Sequence, residues 1–272
     1  MTDQEMRNLI ELFETGPVAF LTGAGISTDS GIPDYRGAGT PPRTPMNIHE
    51  FLGDPQFRKR FWAGASVNAR THTKVEPNSG HHAIARLEEL GLSTGVMTQN
   101  VDDLHNRAGS RVVVELHGNG NRVTCTNCGT KYNRAEVIAS FNELNPGYVE
   151  SQKNVNINPD QDAAVTQYER VGVPSCEVCG GVLRPDIVYF GETVPLPVVD
   201  AAKDLVEKSS ALIVAGSSLA VNTGIRLVSR AENLGLPIAV INRGPTAIDA
   251  RSGIRIEAGT SETLTALLNA VS

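Results

Sequence analysis

Five apolar runs of three to five residues recur along the chain, and each breaks off in small or polar residues. Residues 18–21 run into Thr22, Gly23, Ala24 and Gly25, and 94–97 run into Thr98, Gln99, Asn100 and Asp102. Residues 112–114 pass through Glu115 and Leu116 into His117 and Gly118. Residues 211–215 end in Gly216, Ser217 and Ser218, and 238–241 end in Asn242, Arg243 and Gly244. Runs this short, bounded by turn formers, predict strands buried in a parallel sheet. Ligands of an open parallel sheet bind just beyond the carboxyl ends of its strands. Five such ends therefore predict one shared crevice. His117 is its only side chain that titrates near neutral pH, which makes it the candidate base.

Between these runs, apolar residues fall at helical spacing. Met6, Leu9, Ile10 and Phe13 predict a helix over 6–14, stopped by Gly16 and Pro17. Residues 51–62 mix aromatic and basic side chains, as in a short helix packed on a neighbour, with Phe57, Phe61 and Trp62 as core. Asn78 and Ser79 cap a helix that buries Ala83, Ile84, Leu87 and Leu90 and ends at Gly91. His81 and His82, in its first turn, are expected at the surface or as caps, because no metal-ligand spacing accompanies them. Residues 103–109 predict one helical turn. Further helices are expected over 133–144, 200–208, 225–233 and 262–271. Residues 38–47 are rich in Gly, Pro and Thr and are expected to be mobile; 150–162 are expected to be loop.

A chain of 272 residues fits one large domain carrying a smaller one. Its net charge of −6 argues against general nucleic-acid binding, which calls for a basic stripe. No apolar run approaches the length that spans a bilayer, and the opening residues have neither a basic signal-peptide region nor an Arg-rich transit pattern. A cytoplasmic protein acting as a monomer, without membrane or direct nucleic-acid partners, is expected. Cys125 and Cys128 form one Cys-x-x-Cys pair, and Cys176 and Cys179 a second, each followed by turn glycines. Two such knuckles predict a tetrahedral thiolate cage for zinc. With all four positions taken by thiolates, the ion has no open site and is structural. The stretch between the pairs is longer than in simple ribbons, so it must hold an elaboration.

Gly23, Ala24, Gly25 and Ser27 offer a turn where backbone N–H groups can approach a pyrophosphate. The turn departs from the usual dinucleotide fingerprint: position 28 is Thr28, and no acidic strand end follows about twenty residues on. Ordinary hydride-transfer chemistry is therefore disfavoured. Asp34, Tyr35 and Arg36 follow in a stretch of turn formers, which reads either as a solvated turn or as a flap over the ligand. Residues 184–192 carry apolar side chains and Gly191. They read either as a buried strand or as an open edge for an extended peptide.

Taken together, these residues resemble the sirtuin family. The stretches 23–27, 31–36, 98–102 and 189–192, with His117, Gly118, the four cysteines, Gly216, Ser217, Ser218 and Asn242, stand in the family's order along nearly the whole chain. Leu116, His117 and Gly118, the long insert between the cysteine pairs, and residues 242–246 look most like its class II branch. Position 35 is Tyr, where many members have Phe. The resemblance implies an α/β fold: a Rossmann-like parallel sheet with helices on both faces, over 1–120 and 186–272, plus a zinc-ribbon domain over 121–185. Residues 38–77 would form a loop and helical insert toward the small domain, and the substrate peptide would lie between the domains.

The implied activity is NAD-dependent removal of acyl groups from lysine. The acyl oxygen attacks the anomeric carbon of the nicotinamide ribose, nicotinamide leaves, and an alkylimidate forms. His117 deprotonates a ribose hydroxyl, which attacks the imidate; water completes the reaction to free lysine and an acyl-ADP-ribose ester. Asn100 and Asp102 would orient nicotinamide and its ribose. Gly23, Ala24 and Ser217 would hold the phosphates through backbone groups and a hydroxyl, Asn242 would meet the adenosine ribose, and Gly25 and Ser27 belong to the same NAD site. Asp34, Tyr35, Arg36, Gln99, Gly216, Ser218, Arg243, Gly244 and Thr260 complete the NAD site, while Val188, Phe190, Gly191 and Glu192 meet the acyl-lysine protein substrate. Desuccinylating members carry a Tyr–Arg pair on the helix lining the acyl pocket. Residues 61–65 lack it, so dicarboxylic acyl groups are disfavoured unless Arg43, Arg58, Arg60 or Arg70 reaches the pocket. The same NAD site would serve mono-ADP-ribosyl transfer to protein, the alternative activity. A binding module without turnover is disfavoured by His117 and Asn100.

Overall fold

The structure, a computed structural model, describes residues 1–34, 47–71, 75–153, 155 and 164–272. The chain divides into two compact units. The larger comprises Met1–Asp34, Glu76–His117 and Val194–Ser272, and the smaller takes in the described parts of Tyr35–Val75 and Gly118–Thr193. Among the described residues no helix is long and apolar enough to cross a membrane.

The larger unit is built on six parallel strands: β1 (Val18–Thr22), β2 (Ser93–Thr98), β3 (Val113–Glu115), β7 (Leu212–Ala215), β8 (Ile238–Ile241) and β9 (Ile254–Ile256), in the order β3-β2-β1-β7-β8-β9. Counting only this unit's strands, that is the order 3-2-1-4-5-6 of a doubly wound nucleotide-binding sheet. The sequence pattern anticipates five of the six; β9 is too short and too interrupted by Arg255 to register as a run. Phe20 and Ile213 point to one face, where Ile84 and Leu87 of α4 (Ser79–Glu89) and Leu264 and Leu267 of α10 (Thr260–Val271) cover them, with Leu9 of α1 (Asp3–Glu11). Leu21, Leu212 and Val214 point to the other, under α8 (Leu196–Glu207) and α9 (Asn222–Asn233). Burial on both faces is why these strands are apolar throughout. Helix α1 begins earlier than its apolar spacing implies, because Thr2 and Glu5 form a capping box.

The smaller unit has a three-stranded antiparallel sheet in the order β5-β4-β6, made of β4 (Gly118–Cys125), β5 (Lys131–Asn133) and β6 (Leu183–Ile187). Helices α2 (Ile48–Gly53), α3 (Pro55–Thr71), α6 (Arg134–Leu144) and α7 (Tyr148–Ser151) accompany it. Its core joins Phe51, Phe61, Trp62, Val137, Phe141 and Tyr189. The single helix expected over 51–62 is two: Pro55 opens α3, and the residue before a proline is pushed out of helical geometry. Helix α7 lies where loop was expected to begin, while the expected mobile segment 38–47 lies almost wholly outside the described residues. The expected domain limits at 120 and 186 fall inside a hydrogen-bonded ladder, where Gly118 pairs with Ile187 and Asn119 with Asp186. Residues 118–120 and 186–193 therefore belong to the smaller unit. A side chain at Gly118 (φ +79°) would put its Cβ 2.1 Å from the Asp186 carbonyl oxygen, so the ladder requires glycine there.

Candidate functional site

The strand order reverses between β1 and β7, and the crevice of a doubly wound sheet opens at that switch point. The loops leaving these two strands touch backbone to backbone. Gly25 N–H donates to the Gly216 carbonyl at 2.8 Å and Gly23 N–H to that of Ala215 at 3.3 Å. A Cβ on Gly25 would lie 2.8 Å from Gly216 O, and one on Gly216 (φ +64°) 2.3 Å from the Ile26 nitrogen. No side chain fits between them. After Gly23 the chain enters a 3₁₀ helix, Ala24–Ser30, which the glycine and polar composition disguised as loop. In its first turn the N–H groups of Gly25 and Ile26 are spent on the Gly216 and Gly23 carbonyls (2.8 and 3.1 Å), which ties this turn to the end of β7.

Ser27 is the hub of the polar floor. Its hydroxyl donates to Asp102 Oδ2 at 2.7 Å and accepts from Asn100 Nδ2 at 3.1 Å. Asn100 Nδ2 also donates to the Gly23 carbonyl at 3.1 Å. Both donors of the amide are thus used inward, and Oδ1 is its remaining acceptor. Asp102 Oδ1 accepts from Leu104 N–H at 3.0 Å. Burial raises the Asp102 pKa, against the lowering effect of those two hydrogen bonds.

His81 is not a surface residue; its ring is fully buried. Asn78 N–H donates to its Nδ1 at 3.3 Å, which leaves the ring proton on Nε2, 3.5 Å from Ser27 Oγ. Burial pulls its pKa down to about 4. The capping half of the expectation holds, since His81 completes the capping box of α4. His105 packs edge-on against it with ring centres 4.8 Å apart and bonds Thr22 Oγ1 at 2.9 Å. Sequence reasoning missed this pair. The available signal was a histidine at the third helical position behind an asparagine cap.

His117 follows β3 and is partly buried. Its Nδ1 lies 2.9 Å from the Gln99 carbonyl. A carbonyl only accepts, so Nδ1 carries the proton and Nε2 is the basic atom. Burial lowers the ring's pKa and the Gln99 contact raises it, leaving it below the ordinary value and neutral at pH 7. The Gln99 side chain accepts from Ser217 Oγ at 2.7 Å, tying the end of β2 to the end of β7.

Beyond β8, Asn242 is buried, with both its amide N–H groups donated to the carbonyls of Arg243 (2.9 Å) and Gly244 (3.0 Å). Arg243 is exposed. The Ser218 carbonyl accepts from Ala247 N–H at 3.0 Å. Thr260, buried at the start of α10, reaches the Gly25 carbonyl at 3.4 Å. Asp34 is the last described residue before the gap, and Tyr35, Arg36 and Arg43 lie outside the described residues.

In the smaller unit the four cysteine sulfurs lie within 4.8 Å of one another, with Cys125–Cys179 and Cys128–Cys176 each at 3.6 Å. Zinc–thiolate bonds of about 2.3 Å in a tetrahedron set sulfurs about 3.8 Å apart, so the donor set fits zinc. Past β6, Tyr189 is buried and Phe190 is 55% exposed. Arg184 holds both oxygens of Glu192 (2.7 and 2.8 Å) and the Ile187 carbonyl (2.6 Å), and Tyr189 N–H donates to Glu192 at 2.9 Å. The Glu192 carboxylate is thus committed within its own segment. The peptide N–H and C=O of Val188 make no hydrogen bond to other described residues.

Residues 23–223 match the model of the Sir2 family. The chain is 46% identical over 271 residues to NAD-dependent protein deacetylase 1 of Mycobacterium avium, covering 98% of this chain and 96% of that one. It is 39% identical over 264 residues to the NAD-dependent protein deacylase Sirt4 of Drosophila melanogaster, covering 95% and 85%. Its fold superposes on a solved Sir2 structure with p53 peptide and NAD+ at a TM-score of 0.75 and 32% identity, covering 97% and 98% of the two chains.

Proposed function

Because the chain belongs to the Sir2 family, we propose that it removes acyl groups from protein lysines, consuming NAD, releasing nicotinamide and leaving the acyl group on ADP-ribose. The observation that carries this reading is His117: a ring neutral at pH 7, its Nδ1 proton pinned to the Gln99 carbonyl, its Nε2 available as a base. Nε2 takes the proton of a ribose hydroxyl, which frees that oxygen to attack the activated acyl group. Asn100, both of whose amide N–H groups are spent on Gly23 and Ser27, has Oδ1 left to accept from the nicotinamide carboxamide. Asp102, anchored by Ser27, orients the nicotinamide ribose. The loops after β1 and β7 take the phosphates, with Gly23, Gly25 and Gly216 letting the backbone approach closely and Ala24, Ser217 and Ser218 around them. Asn242, Arg243, Gly244 and Thr260 take the adenosine end.

Zinc held by Cys125, Cys128, Cys176 and Cys179 supplies folding free energy to the smaller unit and takes no part in the reaction. Val188, Phe190 and Gly191 receive the peptide, with Val188 offering unpaired backbone groups to an extended chain. Glu192 shapes this segment rather than touching substrate. Neutral acyl groups are preferred: Phe61, Trp62, Ala63, Gly64 and Ala65 are all buried. Of the arginines considered above, the three described ones are engaged elsewhere: Arg58 on the carbonyls of Phe51 and Leu52, Arg60 over Phe57, and Arg70 on the Gln152 carbonyl. A cytoplasmic enzyme acting on proteins, not nucleic acid, is supported by the net charge of −6 and the paired thiols. The names of the relatives favour deacylation over ADP-ribosyl transfer.

The test is a panel of acetyl-, butyryl-, succinyl- and glutaryl-lysine versions of one peptide, assayed for nicotinamide release and for acyl-ADP-ribose by mass spectrometry. The neutral acyl peptides should turn over fastest. His117→Ala should lower the rate by about 10²–10⁴-fold while retaining NAD binding. A modified acceptor protein in place of acyl-ADP-ribose, or near-normal turnover in His117→Ala, would overturn the reading.

A further inference from the structure

The rim of the crevice beyond β8 is held from within by one side chain that none of the proposed roles uses. Arg255, on β9, donates from Nη1 to the carbonyls of Asn242 (3.0 Å) and Ile256 (2.9 Å), from Nη2 to that of Gly244 (2.7 Å), and from Nε to Asp249 Oδ1 (3.0 Å). Asp249 in turn accepts from the Thr246 N–H (3.0 Å) and hydroxyl (2.5 Å). A guanidinium is a rigid planar fork of five N–H donors with no acceptor. Here all three of its nitrogens are spent on backbone carbonyls and a carboxylate at the base of one loop. An ordinary exposed ion pair does little. Arg255 differs because most of its partners are main-chain atoms whose positions define the loop.

The Gly244 carbonyl is shared. It accepts from Arg255 Nη2 and also from Asn242 Nδ2, whose other N–H goes to the Arg243 carbonyl. Both partners of that nitrogen are carbonyl oxygens, so the amide has one sensible orientation, with Nδ2 inward and Oδ1 left as acceptor. Gly244 adopts φ +82°, a conformation that places its carbonyl under both donors. The guanidinium is therefore one hydrogen bond removed from the amide that faces ligand, and it also grips the Asn242 carbonyl directly.

We propose that Arg255 is a positioning residue for NAD. Through the carbonyls of Asn242 and Gly244 it fixes the Asn242 amide so that Oδ1 stands ready to accept a hydroxyl of the adenosine ribose, without touching the dinucleotide itself. The inference rests on the reading of Asn242 as the adenosine-ribose contact. Since the network serves the adenosine end alone, it acts on NAD affinity and leaves the chemical step and peptide binding unchanged.

The test uses the full-length zinc-loaded protein in five forms: wild type, Asn242→Ala, Arg255→Ala, the double variant, and Arg255→Lys. The readouts are the Kd for ADP-ribose by calorimetry, KM for NAD and for an acyl-lysine peptide, kcat, and melting temperature. Arg255→Ala should weaken ADP-ribose binding and raise KM for NAD by about five- to tenfold, with kcat and peptide KM within about twofold. Arg255→Lys, which replaces a fork by a single ammonium, should fall between. The double variant should bind no worse than Asn242→Ala, because both substitutions remove one contact. If Arg255→Ala fails to fold, Asp249→Asn carries the same prediction at smaller size. An unchanged ADP-ribose Kd in Asn242→Ala would remove the reading of Asn242 on which the inference stands. A weakened Asn242→Ala beside a normal Arg255→Ala, or strictly additive losses, would overturn the positioning role alone. A fall in kcat and melting temperature without selective loss of ADP-ribose would do the same.

Discussion

Lowering the pH from 7.5 to 5 should destabilise the protein, and His81 should account for about 2 kcal/mol of that loss. Its ring is fully buried, and burial, aided by His82, holds its pKa at about 4 instead of 6.5. In the unfolded chain the ring regains its ordinary value. Below pH 6.5 the unfolded state therefore binds a proton that the folded state refuses, and stability falls as the pH falls. The loss is complete near pH 4, where the folded ring protonates as well. Linkage between those two pKa values gives a difference of about 2 kcal/mol between pH 7.5 and pH 5. His105 and His117 are also lowered by burial and push in the same direction. The assay is urea unfolding of wild type and His81→Asn at both pH values and fixed ionic strength. Asparagine is chosen because its Oδ1 can accept the Asn78 N–H that His81 Nδ1 accepts. The variant is expected to be weaker throughout; the comparison is between the two pH losses, in which His117, outside this ring pair, cancels, while His105, lowered partly by His81, is less lowered in the variant and adds to the difference in the same direction. Wild type should lose about 2 kcal/mol more than the variant. Equal losses would refute the reasoning, since the folded protein would then not be holding His81 neutral.

Cys176→Ser should abolish stoichiometric zinc and lower the melting temperature, because a structural zinc contributes folding free energy directly; elemental analysis and calorimetry check both. Gly25→Ala forces a Cβ to 2.8 Å from the Gly216 carbonyl and should cost about 1–3 kcal/mol of stability together with NAD affinity, measured by denaturant unfolding and KM for NAD. Glu192→Gln leaves the Arg184 guanidinium half-paired at 20% exposure and should raise KM for peptide severalfold while KM for NAD holds; a change confined to NAD would count against a peptide role for residues 188–191.

The sheet was legible because burial on both faces writes itself as uninterrupted apolar runs, and the strand ends followed from where those runs stopped. The polar residues at those ends, among them Ser27, Asn100, Asp102 and His117, could be grouped before their contacts were known. Other features were hidden for identifiable reasons. β9 spans three residues, and its middle one is Arg255, so no periodicity marks it. The 3₁₀ helix after β1 is made of residues that favour turns. His81 looked like a polar residue in the first turn of an amphipathic helix; what buries it is the 3₁₀ segment that brings Ser27 beside it, a tertiary fact that local sequence does not carry. Glu192 and Arg184 lie eight residues apart, and the turn in which Glu192 N–H donates to the Tyr189 carbonyl (3.0 Å) closes them into a bidentate pair.

The central seat of β1 ties the order of folding to the order of synthesis. Residues 19–22 pair with β2 on one side and with Leu212–Ala215 on the other. A ribosome adding about 5–20 residues per second takes roughly 6–23 seconds to travel from the end of the first partner to the start of the second. Throughout that interval Phe20 and Leu21, wholly buried in the finished protein, have a neighbour on one side only. β4, β5, β6 and all four cysteines emerge within a single later stretch and need nothing beyond Ile187 to pair. A nascent chain would thus be able to capture its metal while the nucleotide crevice, which exists only once β7 docks beside β1, is still unmade.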